Sequence, residues 1–368
     1  MERAAEVSQL NRRLRVLIVE DSPVVAQFLS HVLGADPGLE VIGVEADGVA
    51  GIEAVRRLRP DVVTMDIHMP RMSGLEATSR IMAEHPVPIV VVSGTVEDEV
   101  QTTFHCLEVG ALAFVPRPEG IGSPRYAETT ANLIDTVKLM AEVRVVRRRG
   151  RPVTTPPESK APVSCLEYAP ESTRLVAIGA SAGGPQCVQK LLGELPAEFS
   201  LPVLLVQHMV ADFVPGFAQW LGTGCGLTVK LAEAGELLKP GHVYVAPGSR
   251  QTGIDRGGRL QVADLPPENG HCPSVSYMFR SVTEAYGHDV IGILLTGMGA
   301  DGAEELRLMR ERGALTVAQD RASSLVFGMP GEAVRLGAAC HVLPPAEIGA
   351  LLKRVSAAVE WPRTQLCH

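Results

Sequence analysis

Short apolar runs alternate with amphipathic stretches along most of this chain. In the first part, the runs 15–19, 39–44, 61–65, 88–92 and 111–115 have the length and β-branched content of buried strands. Between them lie helical patterns, such as 23–33 after the start signal Asp21-Ser22-Pro23. A last helix is expected from about Ala131, with Leu133, Ile134, Val137, Met140 and Ala141 on one face. Strands of this kind separated by helices predict a doubly wound parallel sheet.

The pattern then breaks. Arg144, Arg147, Arg148, Arg149 and Arg151 are followed by prolines at 152, 156, 157, 162 and 170, a composition that stays extended and forms no core. The arginines complement the carbonyl end of the preceding helix. Strand-like runs resume at 175–178, 203–207, 227–231, 242–245, 290–295 and 315–318, and Asp255-Arg256-Gly257-Gly258 suits a hairpin turn. The expected organisation is α/β throughout: two doubly wound, mainly parallel-sheet domains at 14–143 and 174–359, joined by an Arg/Pro-rich linker at 144–173.

Composition narrows the function. A length of 368 residues accommodates two full cores, and 46% hydrophobic with 21% charged residues is ordinary for a globular protein. A net charge of −8 and 4% aromatic residues give no support to nucleic-acid binding. The seven cysteines are scattered, without a C-x-x-C pair, so free thiols in a reducing cytoplasm are expected. The amino terminus has no signal-peptide core, and no apolar run approaches the roughly 20 residues of a membrane span.

Polar residues stand just past the predicted strands of the first domain: Glu20 and Asp21, Asp66, Ser93 and Arg117. Parallel strands bring their carboxyl ends to one sheet edge, so these side chains are expected in one pocket. Three carboxylates together call for a cation, and Mg2+ suits carboxylates, waters and a phosphoryl oxygen. Singly, each acid is more commonly a helix cap or loop residue. As a set, and with Asp66 in MDIHMPRMSGLE and Ser93 in VVSGT, they resemble a response-regulator receiver domain. The resemblance implies phosphorylation of Asp66 by a sensor histidine kinase of the chemotaxis type, Mg2+ on Glu20, Asp21 and Asp66, and Ser93 and Arg117 as phospho-switch residues. Receivers usually carry lysine where this chain has Arg117, and arginine's planar fork makes the exchange non-conservative. An altered phosphoryl lifetime or readout is therefore expected.

In the second domain, RLVAIGASAGGPQ (174–186) reads as a strand entering a helix through a small-residue turn, with Ser181 its one reactive side chain. Gly179, Ser181 and Gly183 fit a nucleophile elbow, but also a plain tight turn or an imperfect dinucleotide loop. Two further strand ends carry His208 and Asp301. A serine needs a base, imidazole titrates in the right range, and the base needs an acid to fix its tautomer. A dinucleotide site would want an acid after the second strand, where Gln207 and His208 stand instead. Asp301 alone also reads as a cap for a helix at Ala303, and Met298 as a core gap-filler.

The segments AIGASAGGP, LLVQHM, LKPGHVYVAPG, ILLTGMGADG and AQDRASSLVFGMP resemble the catalytic domain of the chemotaxis protein-glutamate methylesterases, and the receiver–linker–esterase order is theirs too. The resemblance implies a flavodoxin-like receiver and a Rossmann-like esterase domain that demethylates glutamyl esters of methyl-accepting chemotaxis receptors and deamidates receptor glutamines. It implies Ser181 as nucleophile, His208 as base, Asp301 as its acid, and Ala182 and Met298 as oxyanion donors. No cofactor is implied for the esterase domain, and no nucleic-acid partner or membrane insertion; a cytoplasmic location at receptor arrays is expected. Alternatives are a phospho-controlled scaffold with an inactive esterase fold, or the same esterase in a non-swimming chemosensory pathway. Val210, Ser276 and Gln251 depart from the family's usual residues and are expected to bear on substrate preference and docking.

Overall fold

The computed structural model describes residues 12–94, 97–143, 145 and 170–359. The chain divides into two compact units. Most of the predicted linker lies outside the described residues.

In the first unit, strands β1 (Leu14–Val19), β2 (Leu39–Glu45), β3 (Val62–Met65), β4 (Ile89–Ser93) and β5 (Ala113–Pro116) alternate with helices α1 (Pro23–Gly34), α2 (Gly48–Leu58), α3 (Gly74–Glu84), α4 (Glu97–Val109) and α5 (Tyr126–Ala141). The sheet runs in the order β2-β1-β3-β4-β5, and every pairing is parallel. β3 and β4 are buried along their whole length, as expected of strands covered by helices on both faces. The chain leaves β1 to one side for β2 and returns on the other as β3. The crevice at that reversal is where open α/β sheets bind ligands. Helix α5 begins at Tyr126 rather than about Ala131. Its first turn lacks an apolar stripe, but the Thr129 and Thr130 hydroxyls bond back to backbone carbonyls one turn earlier.

The second unit contains β6 (Leu175–Ala180), α6 (Gly184–Gly193), β7 (Val203–Gln207), α7 (Val214–Gly224), β8 (Thr228–Leu231), β9 (His242–Val245), β10 (Gln251–Ile254), β11 (Leu260–Ala263), α8 (Val275–Tyr286), β12 (Val290–Leu294), α9 (Ala303–Glu311), β13 (Leu315–Gln319), α10 (Met329–Arg335), β14 (His341–Leu343) and α11 (Pro345–Ala358). The main sheet is parallel, ordered β14-β13-β12-β6-β7-β9-β8, and β10 and β11 form the predicted antiparallel hairpin. β6, β7, β12 and β13 are fully buried, whereas β8 at one edge is partly exposed. β14, a three-residue edge strand, has too short a run to announce itself in the sequence. Here the reversal lies at β6, with β7 on one side and β12 on the other.

Among the described cysteines, Cys106, Cys187, Cys225 and Cys272 are free, but Cys340 is disulfide-bonded, against the expectation of free thiols throughout.

Close packing fixes the loop after β3. Gly74 opens α3 against the backbone of Asp66, and a Cβ there would lie 1.9 Å from the Asp66 carbonyl oxygen. Gly74→Ala should destabilise the first unit by about 2 kcal/mol through overpacking. Gly120→Ala, whose Cβ meets nothing within 4 Å, should leave it nearly unchanged. Urea unfolding of the two variants checks this, and equal midpoints would count against it.

Candidate active site and phosphorylation site

In the first unit, Glu20 and Asp21 follow β1 and Asp66 follows β3, on the two sides of the reversal. Their carboxylates offer oxygens lying within 4.8 Å of one another. Glu20 and Asp66 are buried and Asp21 is exposed. The Glu20 carboxyl is pushed up to about 7, first by burial and next by the charge of Asp66. One of its oxygens, Oε1, accepts the Ser22 N–H at 3.1 Å, while buried Oε2 accepts no hydrogen bond among the described residues. An orphaned carboxylate oxygen facing a second carboxylate is what a divalent cation would satisfy, so the residues fit Mg2+. Arg117 supplies a charge: its Nη2 donates to Asp66 Oδ1 at 3.0 Å and lies 3.7 Å from Glu20 Oε2. Ser93 is buried at the end of β4, with its hydroxyl donating to the Gly94 carbonyl. The structure thus brings Glu20, Asp66 and Arg117 into direct contact.

In the second unit, Ser181 is the first residue after β6 and His208 the first after β7. Ala180 and Gln207 are paired in register, so Ser181 and His208 stand abreast on adjacent strands. The turn is pinned by Ser181 N–H donating to the Thr296 carbonyl and Gly184 N–H to the Ser181 carbonyl. From β12 comes the loop holding Met298 and Asp301. It can approach because residue 297 is glycine: a Cβ there would lie 2.7 Å from Ser181 Cβ.

His208 Nε2 and Asp301 Oδ2 are 2.9 Å apart. Nε2–H therefore donates to the carboxylate, and Nδ1 is the nitrogen left to act as base. Nδ1 is buried and has no hydrogen-bond partner among the described residues, so it is not engaged by the Ser181 hydroxyl in this conformation. Hydrogen bonds of this kind commonly close only when substrate arrives. The Cys187 thiol, the other nucleophile close by in sequence, is pushed up to about 12 by burial and stays protonated.

Asp301 caps a helix, but α8 rather than the helix at Ala303. Its Oδ1 accepts from Ser274 Oγ and Ser276 N–H, both at 3.0 Å, and its Oδ2 from Val275 N–H at 2.7 Å. These are the cap residue and first-turn amides of α8, where the helix end favours negative charge. Burial alone would raise the Asp301 carboxyl, but the bonds from His208 and from the start of α8 outweigh it and hold it well below the usual carboxylate range. Ser276 Oγ accepts from Gly302 N–H, closing the bracket. Gln251 is buried and braces the same segment, donating to the His271 carbonyl at 3.1 Å and accepting from Ser274 N–H at 2.8 Å. Ser276 and Gln251 are thus built into the support of Asp301, not turned outward as recognition residues.

His271 was not singled out by the sequence. Its ring stacks on His208, with centroids 4.1 Å apart and planes 7° from parallel. Burial, then the neighbouring His208, lowers its pKa. His208, His271 and Asp301 could hold a metal by proximity alone. Parallel stacked rings, however, cannot aim their in-plane lone pairs at one ion. Met298 is no core residue: its side chain is 55% exposed. Among the described residues, neither its backbone N–H nor that of Ala182 makes a hydrogen bond.

Two sheets with polar side chains gathered at their reversals, one set acidic and one of serine, histidine and aspartate, define a receiver joined to a serine-hydrolase-like unit. Comparison agrees: residues 16–123 match the response regulator receiver domain and residues 176–352 the CheB methylesterase. A Nitrosospira multiformis protein-glutamate methylesterase/protein-glutamine glutaminase is 49% identical over 345 residues, 94% of this chain and 97% of that one. A Geobacter metallireducens protein of the same description is 52% identical over 91% of this chain and 96% of its own. The solved Thermotoga maritima CheB methylesterase catalytic domain is 34% identical, with a TM-score of 0.49, covering 50% of this chain and 98% of that one. The chain belongs to the CheB methylesterase family, in its receiver-bearing form. No helix among the described residues is long and apolar enough to cross a membrane.

Replacing Asp301 by asparagine withdraws a charge that four donors face. The folded pKa is depressed, so the stabilisation is complete above the unfolded value of about 3.9 and is lost as pH falls through the folded value. Asp301→Asn should cost the second unit about 2 kcal/mol at pH 7 and less at pH 3. Urea unfolding at both pH values checks it, and a deficit that does not shrink in acid contradicts the assignment.

Proposed function

We propose that the chain is a phosphorylation-regulated protein-glutamate methylesterase, with glutaminase activity at the same site, acting on methyl-accepting chemotaxis receptors. The observation that carries this reading is the His208–Asp301 pair at 2.9 Å abreast of Ser181. Its family membership supplies the substrate class.

Ser181 Oγ attacks the ester carbonyl as His208 Nδ1 takes its proton, and Asp301 holds the ring and stabilises the imidazolium. The free N–H groups of Ala182 and Met298 receive the oxyanion. Collapse returns the proton to the departing methoxide, releasing methanol and leaving an acyl-enzyme. Water, deprotonated by His208, then frees the glutamate. A glutamine side chain follows the same course with ammonia as product, more slowly because an amide is the poorer acyl donor.

In the first unit Asp66 accepts a phosphoryl group from a chemotaxis-type histidine kinase. Glu20, Asp21 and Asp66 would hold Mg2+, which neutralises phosphoryl oxygens when bound. Arg117, now paired with Asp66, follows the charge onto the phosphoryl group, and Ser93 supplies a hydroxyl to it. The enzyme works in the cytoplasm, recruited to receptor arrays. The unphosphorylated receiver restrains the esterase, and phosphorylation relieves the restraint.

Methanol release from methylated receptor should fall by at least about 10³-fold in Ser181→Ala. Undiminished release would favour a scaffold or another nucleophile. A small-molecule phosphodonor should label the wild-type chain, but not Asp66→Asn, and should raise methanol release several-fold in the wild type alone. Phosphate incorporation and activity measured together check this, and equal activation of Asp66→Asn would contradict the gating.

A further inference from the structure

We infer that Gln207 is the positioning residue of the oxyanion hole, a role that rests on the reading of Ser181 and Ala182 given above. Gln207 ends β7, is buried, and lies beside the nucleophile turn. Its side-chain Nε2 donates to two backbone carbonyls, that of Ser181 at 2.8 Å and that of His208 at 3.0 Å. Its Oε1 is buried and accepts nothing among the described residues. Only the donor end of the amide is used, and both of its protons are spent on the two loops that carry nucleophile and base.

The consequence follows from the planarity of the peptide group. The Ser181 carbonyl and the Ala182 N–H belong to one trans unit and point in opposite directions. Gln207 holds that carbonyl from the β7 side, together with the Gly184 N–H at 2.8 Å. Fixing the carbonyl therefore aims the Ala182 N–H away from Gln207, out of the turn. The next carbonyl, of Ala182, is held from the β12 side by Thr296 Oγ1 at 2.9 Å. The end of β7 and the loop after β12, on the two sides of β6, each send one side chain to a consecutive carbonyl of the turn, so the donor's direction is set before substrate arrives. An interaction of this kind pays off only when charge develops on the carbonyl oxygen. By also holding the His208 carbonyl, Gln207 ties the base's loop to the same peptide.

The test is methanol release from methylated receptor by the full-length chain with phosphodonor, comparing wild type, Gln207→Met and Ser181→Ala. Methionine keeps the length and volume of glutamine and removes both donors. With the fold verified by circular dichroism and thermal melting, kcat should fall about 30-fold or more, with KM changed less than about 3-fold. A folded Gln207→Met with unchanged kcat overturns the inference, as does a rise in KM alone. Should methionine prevent folding, Gln207→Glu, which keeps size and polarity but withdraws the donors, takes the same test with the same criteria. The reading of the nucleophile fails separately, if Ser181→Ala retains activity.

Discussion

A carboxylate taken out of water must be surrounded by donors or be protonated, because burying an ion costs several kcal/mol that only fixed partners offset. Asp301 answers that demand with the Ser274 hydroxyl, the Val275 and Ser276 amides and His208 Nε2. The rest of the second unit's site is arranged around this requirement. Helix α8 must begin beside the loop after β12, Gln251 must hold the segment leading into it, and Ser276 must tie it to Gly302. His208 is the one member of the set free to exchange a proton. The helix start and the carboxylate fix its Nε2 side, and the stacked His271 ring fixes its plane.

The same sheet topology generates both sites. In each unit the chain leaves a central strand toward one side and returns on the other, opening a crevice at the strand ends. Loops there are free of the strand ladder and can carry chemistry, while the fully buried strands behind them keep their ends in register. The distance between Ser181 and His208 is thus a property of adjacent parallel strands, and that between Asp301 and His208 a property of the loop that Gly297 allows across Ser181.

Much of this was legible in the sequence, because strand ends are marked by where an apolar run stops. His208, Asp66 and Glu20 each stand directly after such a run, and Ser181 in the small-residue turn that follows one. Asp301 was legible as an acid in a glycine-rich loop, but its partner helix was not: the sequence suggests the adjacent α9, whereas tertiary folding delivers α8. That Gln251 and Ser276 brace the segment around Asp301 was not legible for the same reason. Their role depends on which carbonyls and amides lie across from them, and spacing along the chain carries no trace of that. His271 and Gln207 were passed over because a lone histidine or glutamine beside a strand has no pattern of its own. β14 escaped because three residues are too few to show a period, and Cys340 because a disulfide is a matter of geometry.

The two buried acid clusters differ in how their charge is met, and the difference suits what each unit does. Asp301 is met by two backbone amides, the Ser274 hydroxyl and His208 Nε2, partners that folding itself puts in place. Asp66 is met by a guanidinium on a side chain one-third exposed, just past the end of β5. Its neighbour Glu20 is pushed up to about 7 by burial and by the charge of Asp66. A cluster balanced by a partly exposed guanidinium is open to reorganisation when a phosphoryl group adds negative charge. Among the described residues one nitrogen of Arg117, Nη2, makes both contacts, at 3.0 Å from Asp66 and 3.7 Å from Glu20, so the fork that distinguishes arginine from lysine is not used in this arrangement. The receiver is thereby the responsive half of the molecule and the esterase the preorganised half, and both properties follow from which donors face the buried carboxylates.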